Sequence, residues 1–265
     1  MEVKRSELDL RGLTFLGAIG IVWWAATGPL QWFSDMVLPS PLAVWRSLVR
    51  LSSLHGGTGG MLLGYQYNLW EQIGYSVGRL FAAFLIAAAI AIPLGALMGR
   101  FRIVDDIFDP AIQGLRPIPP IAWTPLAILW FGIGLKPILF IIVLGALWPM
   151  LLHTIVGMRQ TRPLLIQAGQ SLGASDAQIF FRIILPSALP FIFTGMRTGL
   201  TVGWWMIVPA EMITADAGLG FLIMRARENG HIDDVATGII AIALVGYGLS
   251  VGLTQLAKKR LFRGA

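Results

Sequence analysis

Arg197, Trp204 and Glu211 fall seven residues apart in one largely apolar stretch. Seven residues is close to two turns of α-helix, so the three side chains share nearly one face. An ionisable group at membrane depth is costly and faces an aqueous pathway or a partner group. On a pathway, Arg197 would attract a small anion and fork to its oxygens. Trp204 would narrow the passage. Glu211 repels anions and would serve as a gate contact near the outer end. In the other reading, Arg197 and Glu211 bond to carbonyls or neighbouring helices and only hold a bundle together. They cannot meet each other, standing about 21 Å apart at 1.5 Å per residue. Pro209 can kink the helix and turn Glu211 aside. His153, just after Trp148-Pro149, is a fourth pathway candidate, with a packed, hydrogen-bonded role as its alternative. Trp205 points about 100° from Trp204, toward packing or an interface.

No bond-making chemistry is encoded elsewhere. The chain has no cysteine, which excludes disulfides, thiolate metal sites and thiol catalysis. It has no Walker phosphate loop and does not itself hydrolyse ATP. Gly132-Ile133-Gly134 is too short for a nucleotide fingerprint. No catalytic residue, metal or cofactor is expected in this chain. Of its 265 residues 56% are hydrophobic and 13% charged, and the mean hydropathy is +0.73. A soluble domain carries about 25% charged residues, so lipid is the expected main solvent. The net charge of +6 arises from cations beside apolar spans, which points to topology and not to nucleic acid.

Those side chains must be positioned by membrane helices. A span needs about 20 mostly apolar residues. Five stretches qualify without a charge: Leu13–Phe33, Leu80–Gly99, Pro117–Leu135, Pro137–Met158 and Val235–Ala257. Ile183–Ile213 qualifies with Arg197 and Glu211 inside it, giving six. The third helix is expected to begin near Val104 and kink at Pro117, Pro119, Pro120 and Pro125. The first stretch is longer than a signal core of about 7–15 residues. Ala91, Gly95 and Gly99 recur every four residues, a spacing for close helix packing. Arg79 and Arg116 are expected to snorkel or to pair with Glu71 or Asp109.

Cationic loops stay in the cytoplasm. With the N-terminus inside, twelve Lys and Arg fall inside (Lys4, Arg5, Arg11, Arg100, Arg102, Arg159, Arg162, Arg182, Lys258, Lys259, Arg260 and Arg263). Five fall outside: Arg46, Arg50, Lys136, Arg225 and Arg227. Both termini, the 1–12 segment and the 159–186 loop are then cytoplasmic. Residues 39–54, opening on Pro39-Ser40-Pro41, read as an external amphipathic helix, lying on the membrane or packed on the protein's own surface. His55–Gly60 reads as a flexible linker, and 216–234 as an external cap.

The 159–186 loop is long and helix-forming. Leu164–Leu172 fits one short helix, Gly173 can stop it, and Ser175 can cap a second helix over Asp176–Ile184. Pro186 marks re-entry into the membrane. A short helix across the base of a bundle makes a ridge that transmits force when a partner holds it.

Gln167-Ala168-Gly169, three residues, Gly173, nine residues, then Ile183-Ile184-Leu185-Pro186 resembles the signature of permease subunits of bacterial ATP-binding-cassette importers. That signature is Glu-Ala-Ala, three residues, Gly, nine residues, Ile-x-Leu-Pro. Gln167 replaces the acid and Gly169 the second Ala. Leu115–Trp123, Trp130–Gly134, Gly195-Met196-Arg197 and Ala210–Ile213 resemble the nitrate, sulfonate and taurine importer group. The resemblance implies an all-α, six-helix type I permease, one transmembrane domain over 1–265, in the bacterial inner membrane. It implies a homodimer with two ATPase subunits, which bind ATP and Mg, and a periplasmic or surface solute-binding protein. Leu164, Gln167, Ala168, Gly169, Ser171, Leu172 and Gly173, with Ile183, Leu185 and Pro186, would then couple to the ATPase. The substrate implied is a small anion: taurine or another sulfonate, nitrate or bicarbonate. The competing class is a secondary transporter or channel that needs no ATPase.

Overall fold

The computed structural model describes residues 10–34, 36–53 and 68–261. The expected 55–60 linker, Lys4, Arg5 and Arg263 lie outside the described residues. In chain order the helices are α1 (Leu10–Thr27), α2 (Pro41–Ser53), α3 (Leu69–Arg100), α4 (Arg102–Leu115), α5 (Thr124–Phe131), α6 (Leu135–Arg159), α7 (Pro163–Ser171), α8 (Asp176–Ile179), α9 (Leu185–Thr214), α10 (Leu219–Glu228) and α11 (Ile232–Leu261). A 3-10 turn covers Pro120–Trp123, and a π-helical turn covers Phe180–Ile184. The described residues contain no strand. Residue contacts divide the chain into two units, Met1–Gln72 with Leu222–Ile242, and Ile73–Phe221 with Ala243–Ala265.

Among the described residues, four helices are long and apolar enough to cross a membrane: Leu69–Arg100, Leu135–Arg159, Asp176–Thr214 and Ile232–Leu253. At the expected first span α1 ends at Thr27, short of Phe33, and at the expected third span stands the shorter apolar helix Pro120–Phe131. Both shortenings have a local cause. Gly28-Pro29 ends α1, because the residue before a proline avoids the α conformation and proline offers no N–H. The expected kinked third helix is instead two helices, α4 and α5. Pro119 is extended at ψ 133°, so the prolines break the helix there and do not merely bend it.

In the first unit, α2 packs on the protein's own surface. Ser40 caps it, accepting a bond from the Ala43 N–H at 3.2 Å. Val44, Ser47 and Leu51 are buried. The Ser47 hydroxyl donates to Asp234 at 2.5 Å, and Thr237 donates to Ser47 at 2.8 Å. Arg50 pairs with Asp233 and Asp234. Leu42, Trp45 and Val49 remain exposed on the other side. The Trp23 indole N–H donates to the Pro39 carbonyl at 3.0 Å and ties α1 to the segment before α2.

The second unit is built on close helix approach. A Cβ on Gly95 would meet Thr154 Cβ at 2.8 Å, and one on Gly99 would meet Met158 Cβ at 2.5 Å, so α3 lies directly against α6. This is the packing expected of the Ala91, Gly95, Gly99 spacing. α9 lies against α6 in the same way. A Cβ on Gly195 would meet His153 Cβ at 2.8 Å, and one on Gly199 would meet the Ala146 carbonyl at 2.8 Å.

Candidate functional site

The 159–186 segment is a rigid knob. Pro163 opens α7 at a position where its missing N–H costs nothing. Gly173 ends it at φ +77°, a conformation that disfavours any residue with a Cβ. The Ala174 N–H donates to the Gly169 carbonyl at 3.0 Å and the Gly173 N–H to the Gln170 carbonyl at 2.9 Å. Those paired bonds form a Schellman motif and satisfy the carbonyls that a helix end leaves open. Ser175 and Gln178 then cap α8 reciprocally: Gln178 N–H to Ser175 Oγ at 3.3 Å, and Ser175 N–H to Gln178 Oε1 at 2.9 Å. The second helix is α only to Ile179. Pro186 cannot donate to the Arg182 carbonyl and its ring crowds it, and the preceding turn widens to π geometry. No break follows, and Asp176–Thr214 runs on as one 39-residue helical stretch.

α7 is seated on that stretch. Gly169 is buried, and a Cβ there would meet the tip of Ile183, Cδ1, at 2.8 Å, so α7 lies close against the helix that follows. Ile166, Ala174 and Ile183 pack against a buried cluster of Ala96, Met158, Ile179, Ile184, Ala188 and Ile192. Thr161 and Ser187 hydroxyls meet at 2.6 Å, and Arg159 pairs with Asp105 at 2.6 Å. The opposite side is open and apolar, with Leu164 73% and Leu172 87% exposed, beside Leu165 and Phe181. Gln167, Ala168, Ser171 and Pro186 are exposed as well, whereas Leu185 is half-buried.

The four membrane-depth candidates occupy three different settings. Arg197 is exposed and has no ion-pair partner among the described residues. Trp204 is 6% exposed, and a Cβ on Gly246 of α11 would meet its indole nitrogen at 2.5 Å. His153 is half-buried, with its Cβ against Gly195. Glu211 is 0% exposed and held from all sides. Ser76 donates to its carboxylate at 2.8 Å, Arg79 at 3.0 Å and the Gly220 N–H at 3.0 Å. Arg79, 9% exposed at its side chain, also bonds the Ala217 carbonyl and reaches Asp216 at 3.2 Å. The Leu219 N–H donates to Ser76 Oγ at 2.8 Å. The acidic partners of Arg79 are therefore Glu211 and Asp216, and not Glu71 or Asp109. Glu71 is engaged in capping α3, accepting from the Asn68 N–H at 2.8 Å. A polar Ser76-x-x-Arg79 pair on one face of an apolar helix, and Gly218-Leu219-Gly220 after Glu211, were the available signals for this clasp.

Residues 91–260 match the family model for the binding-protein-dependent transport system inner membrane component. The chain is 38% identical to the taurine transport system permease protein TauC of Escherichia coli (strain K12), covering 92% of this chain and 86% of that one. It is 32% identical to the bicarbonate transport system permease protein CmpB of Synechocystis sp. (strain ATCC 27184 / PCC 6803 / Kazusa), covering 83% and 79%. Among solved structures it resembles a chain of the inward-facing MetNI methionine ABC transporter. That likeness has a TM-score of 0.61 at 18% identity and covers 77% of this chain and 98% of that one, a likeness of fold.

Proposed function

Because the chain belongs to the family of binding-protein-dependent transport system inner membrane components, we propose that it is the permease of an ATP-driven importer of a small anion. Members of this family are membrane-integral, are not enzymes, and work with a separate ATPase and a solute-binding protein. We place α7 and its supports as the part the ATPase grips. The observation that carries this is the exposed Leu164, Leu165, Leu172 and Phe181 on a base fixed by Gly169, Gly173 and Ser175. An apolar ridge on a rigid element suits a partner's cleft, because little entropy is lost on docking. Gln167, Ala168, Ser171, Ile183, Leu185 and Pro186 complete that ridge and its hinge into α9.

The reading extends to the whole assembly. The chain acts as one permease domain over 1–265, paired with a second copy in the inner membrane, with both termini and the 159–186 loop on the cytoplasmic side. Taurine and bicarbonate, named for the two relatives, and nitrate or another sulfonate are the anions it would carry. Arg197 is the pathway cation. Trp204, His153 and Glu211 set the helices around it.

The test is recovery of the ATPase. The C-terminally tagged chain is solubilised gently from native membranes and its companions are identified. Leu172→Glu places a charge on the exposed ridge, and Gly173→Arg strains the φ of +77°. Both variants should insert normally and lose the ATPase that the wild type recovers. Full recovery with Leu172→Glu, or no ATPase with the wild type even after cross-linking, would overturn the assignment.

A further inference from the structure

Beyond Arg197, the middle of α9 presents a continuous open stripe of hydroxyls. Thr194, Thr198, Thr201 and Trp205 fall within an arc of about 60° at 100° per residue, and Arg197 flanks it about 40° from Thr201. Thr194, Arg197 and Thr198 are exposed, Thr201 is half-buried, and Trp205 is 63% exposed. The stripe runs about 16 Å along the helix axis. Its centre is turned about 110° from the glycine face, Gly195 and Gly199, that α9 presses against α6, and Arg197 lies nearly opposite that face. No other long span has an exposed middle of this kind among the described residues. On α3 the open positions are Phe81, Leu85, Ile86, Ile90 and Leu97, and on α11 they are Ile239, Leu244 and Tyr247. Those faces suit lipid. A guanidinium beside the midpoint of a span, among hydroxyls, does not, because charged and polar groups at that depth face water or a partner.

The hydroxyls have a definite polarity. Thr194 donates to the Pro190 carbonyl at 2.8 Å, Thr198 to the Thr194 carbonyl at 3.0 Å, and Thr201 to the Arg197 carbonyl at 3.1 Å. Each hydroxyl proton is therefore spent on the helix's own backbone, and each oxygen keeps lone pairs facing outward. The stripe offers N–H donors, the Arg197 fork and the Trp205 indole, and a row of threonine oxygens as acceptors. An anion made only of acceptor oxygens can use the first and finds nothing in the second.

We propose that the Thr194–Trp205 face of α9 lines the translocation pathway and selects a small oxyanion that carries its own N–H or O–H donors, such as an aminosulfonate or bicarbonate, over nitrate. The oxyanion group meets Arg197, and the donors meet the threonine oxygens. This rests on the importer reading for its substrate, but the water-facing face does not need an ATPase to be detected.

The chain has no cysteine, so single cysteines report without background. Thr198→Cys and Thr201→Cys are compared with Leu85→Cys and Ile90→Cys in membranes holding the assembled transporter. Each is treated from both sides with a charged, membrane-impermeant thiosulfonate reagent. Because the thiolate is the reacting species, the two threonine positions should label at least about tenfold faster than the two lipid-facing ones. Taurine or bicarbonate should slow that labelling several-fold, and nitrate at equal concentration should not. Equal rates at all four positions would overturn the aqueous face. So would a spontaneous disulfide joining two copies at Thr198→Cys or Thr201→Cys, which would assign the face to a copy interface. Equal protection by nitrate would overturn the donor-bearing class. If the ATPase is never recovered but labelling and protection hold, the pathway stands and the importer reading alone fails.

Discussion

Breaking the Arg79–Glu211 clasp should cost several kilocalories, in a pattern that identifies a coupled buried pair. Glu211 is fully buried and takes hydrogen bonds from Ser76, Arg79 and the Gly220 N–H. Replacing Arg79 by Met leaves that carboxylate without its cation, and removing one partner of a buried pair costs about 3–5 kcal/mol. Glu211→Gln keeps a carbonyl oxygen for Ser76 and Gly220 but turns its NH2 toward the Arg79 guanidinium, which retains Asp216 and the Ala217 carbonyl, so it should cost about 1–3 kcal/mol. The double variant, Arg79→Met with Glu211→Gln, buries no unpaired charge. It should be more stable than the sum of the singles implies, by a coupling energy of about 1.5–3 kcal/mol. Asp216 is too exposed to replace Glu211, with its side chain 89% accessible. The assay is reversible unfolding in mixed micelles with rising SDS fraction, followed by circular dichroism. Additivity of the two singles within about 0.5 kcal/mol would refute the clasp as a coupled unit.

Two further outcomes follow from local geometry. Gly199→Val drives a branched side chain into the Ala146 carbonyl and Met150, both 2.8 Å from an added Cβ; overpacking of about 1–3 kcal/mol should lower the thermal midpoint, and an unchanged midpoint would show that α6 and α9 are not so close. Ser175→Ala removes one half of the reciprocal cap and should cost about 1 kcal/mol locally, read as faster amide exchange at residues 176–179 with no change in α6.

The parts of the fold that were legible in the sequence are those decided within one segment. Long apolar runs marked α3, α6, α9 and α11, and Gly173 and Ser175 marked the end of α7 and the start of α8, because turn and cap chemistry acts over three or four residues. Two spans came out shorter because proline acts on the backbone before it whatever the hydropathy. The amphipathic α2 was legible as a helix, but what its buried face meets was not. Ser47 and Arg50 find Asp234 more than 180 residues away, and nothing in a local window encodes that pairing.

The membrane-depth residues show the same limit more sharply. Heptad spacing groups Arg197, Trp204 and Glu211 near one side of a single helix, but spacing along a helix says nothing of how the surroundings change along its length. Near Arg197 that side is open, whereas further along the chain Gly246 of α11 closes on Trp204, and Ser76 and Arg79 of α3 close on Glu211. What does encode the difference is the distribution of small residues. Gly195 and Gly199 mark where α9 meets α6, Gly246 marks where α11 admits an indole, and Gly218 leaves room for a carboxylate that a Cβ would overlap. The open face of α9 is what these contacts leave uncovered. It includes Trp205, which a single-helix argument assigns to packing, and a row of threonines whose hydroxyls such an argument passes over because they carry no charge.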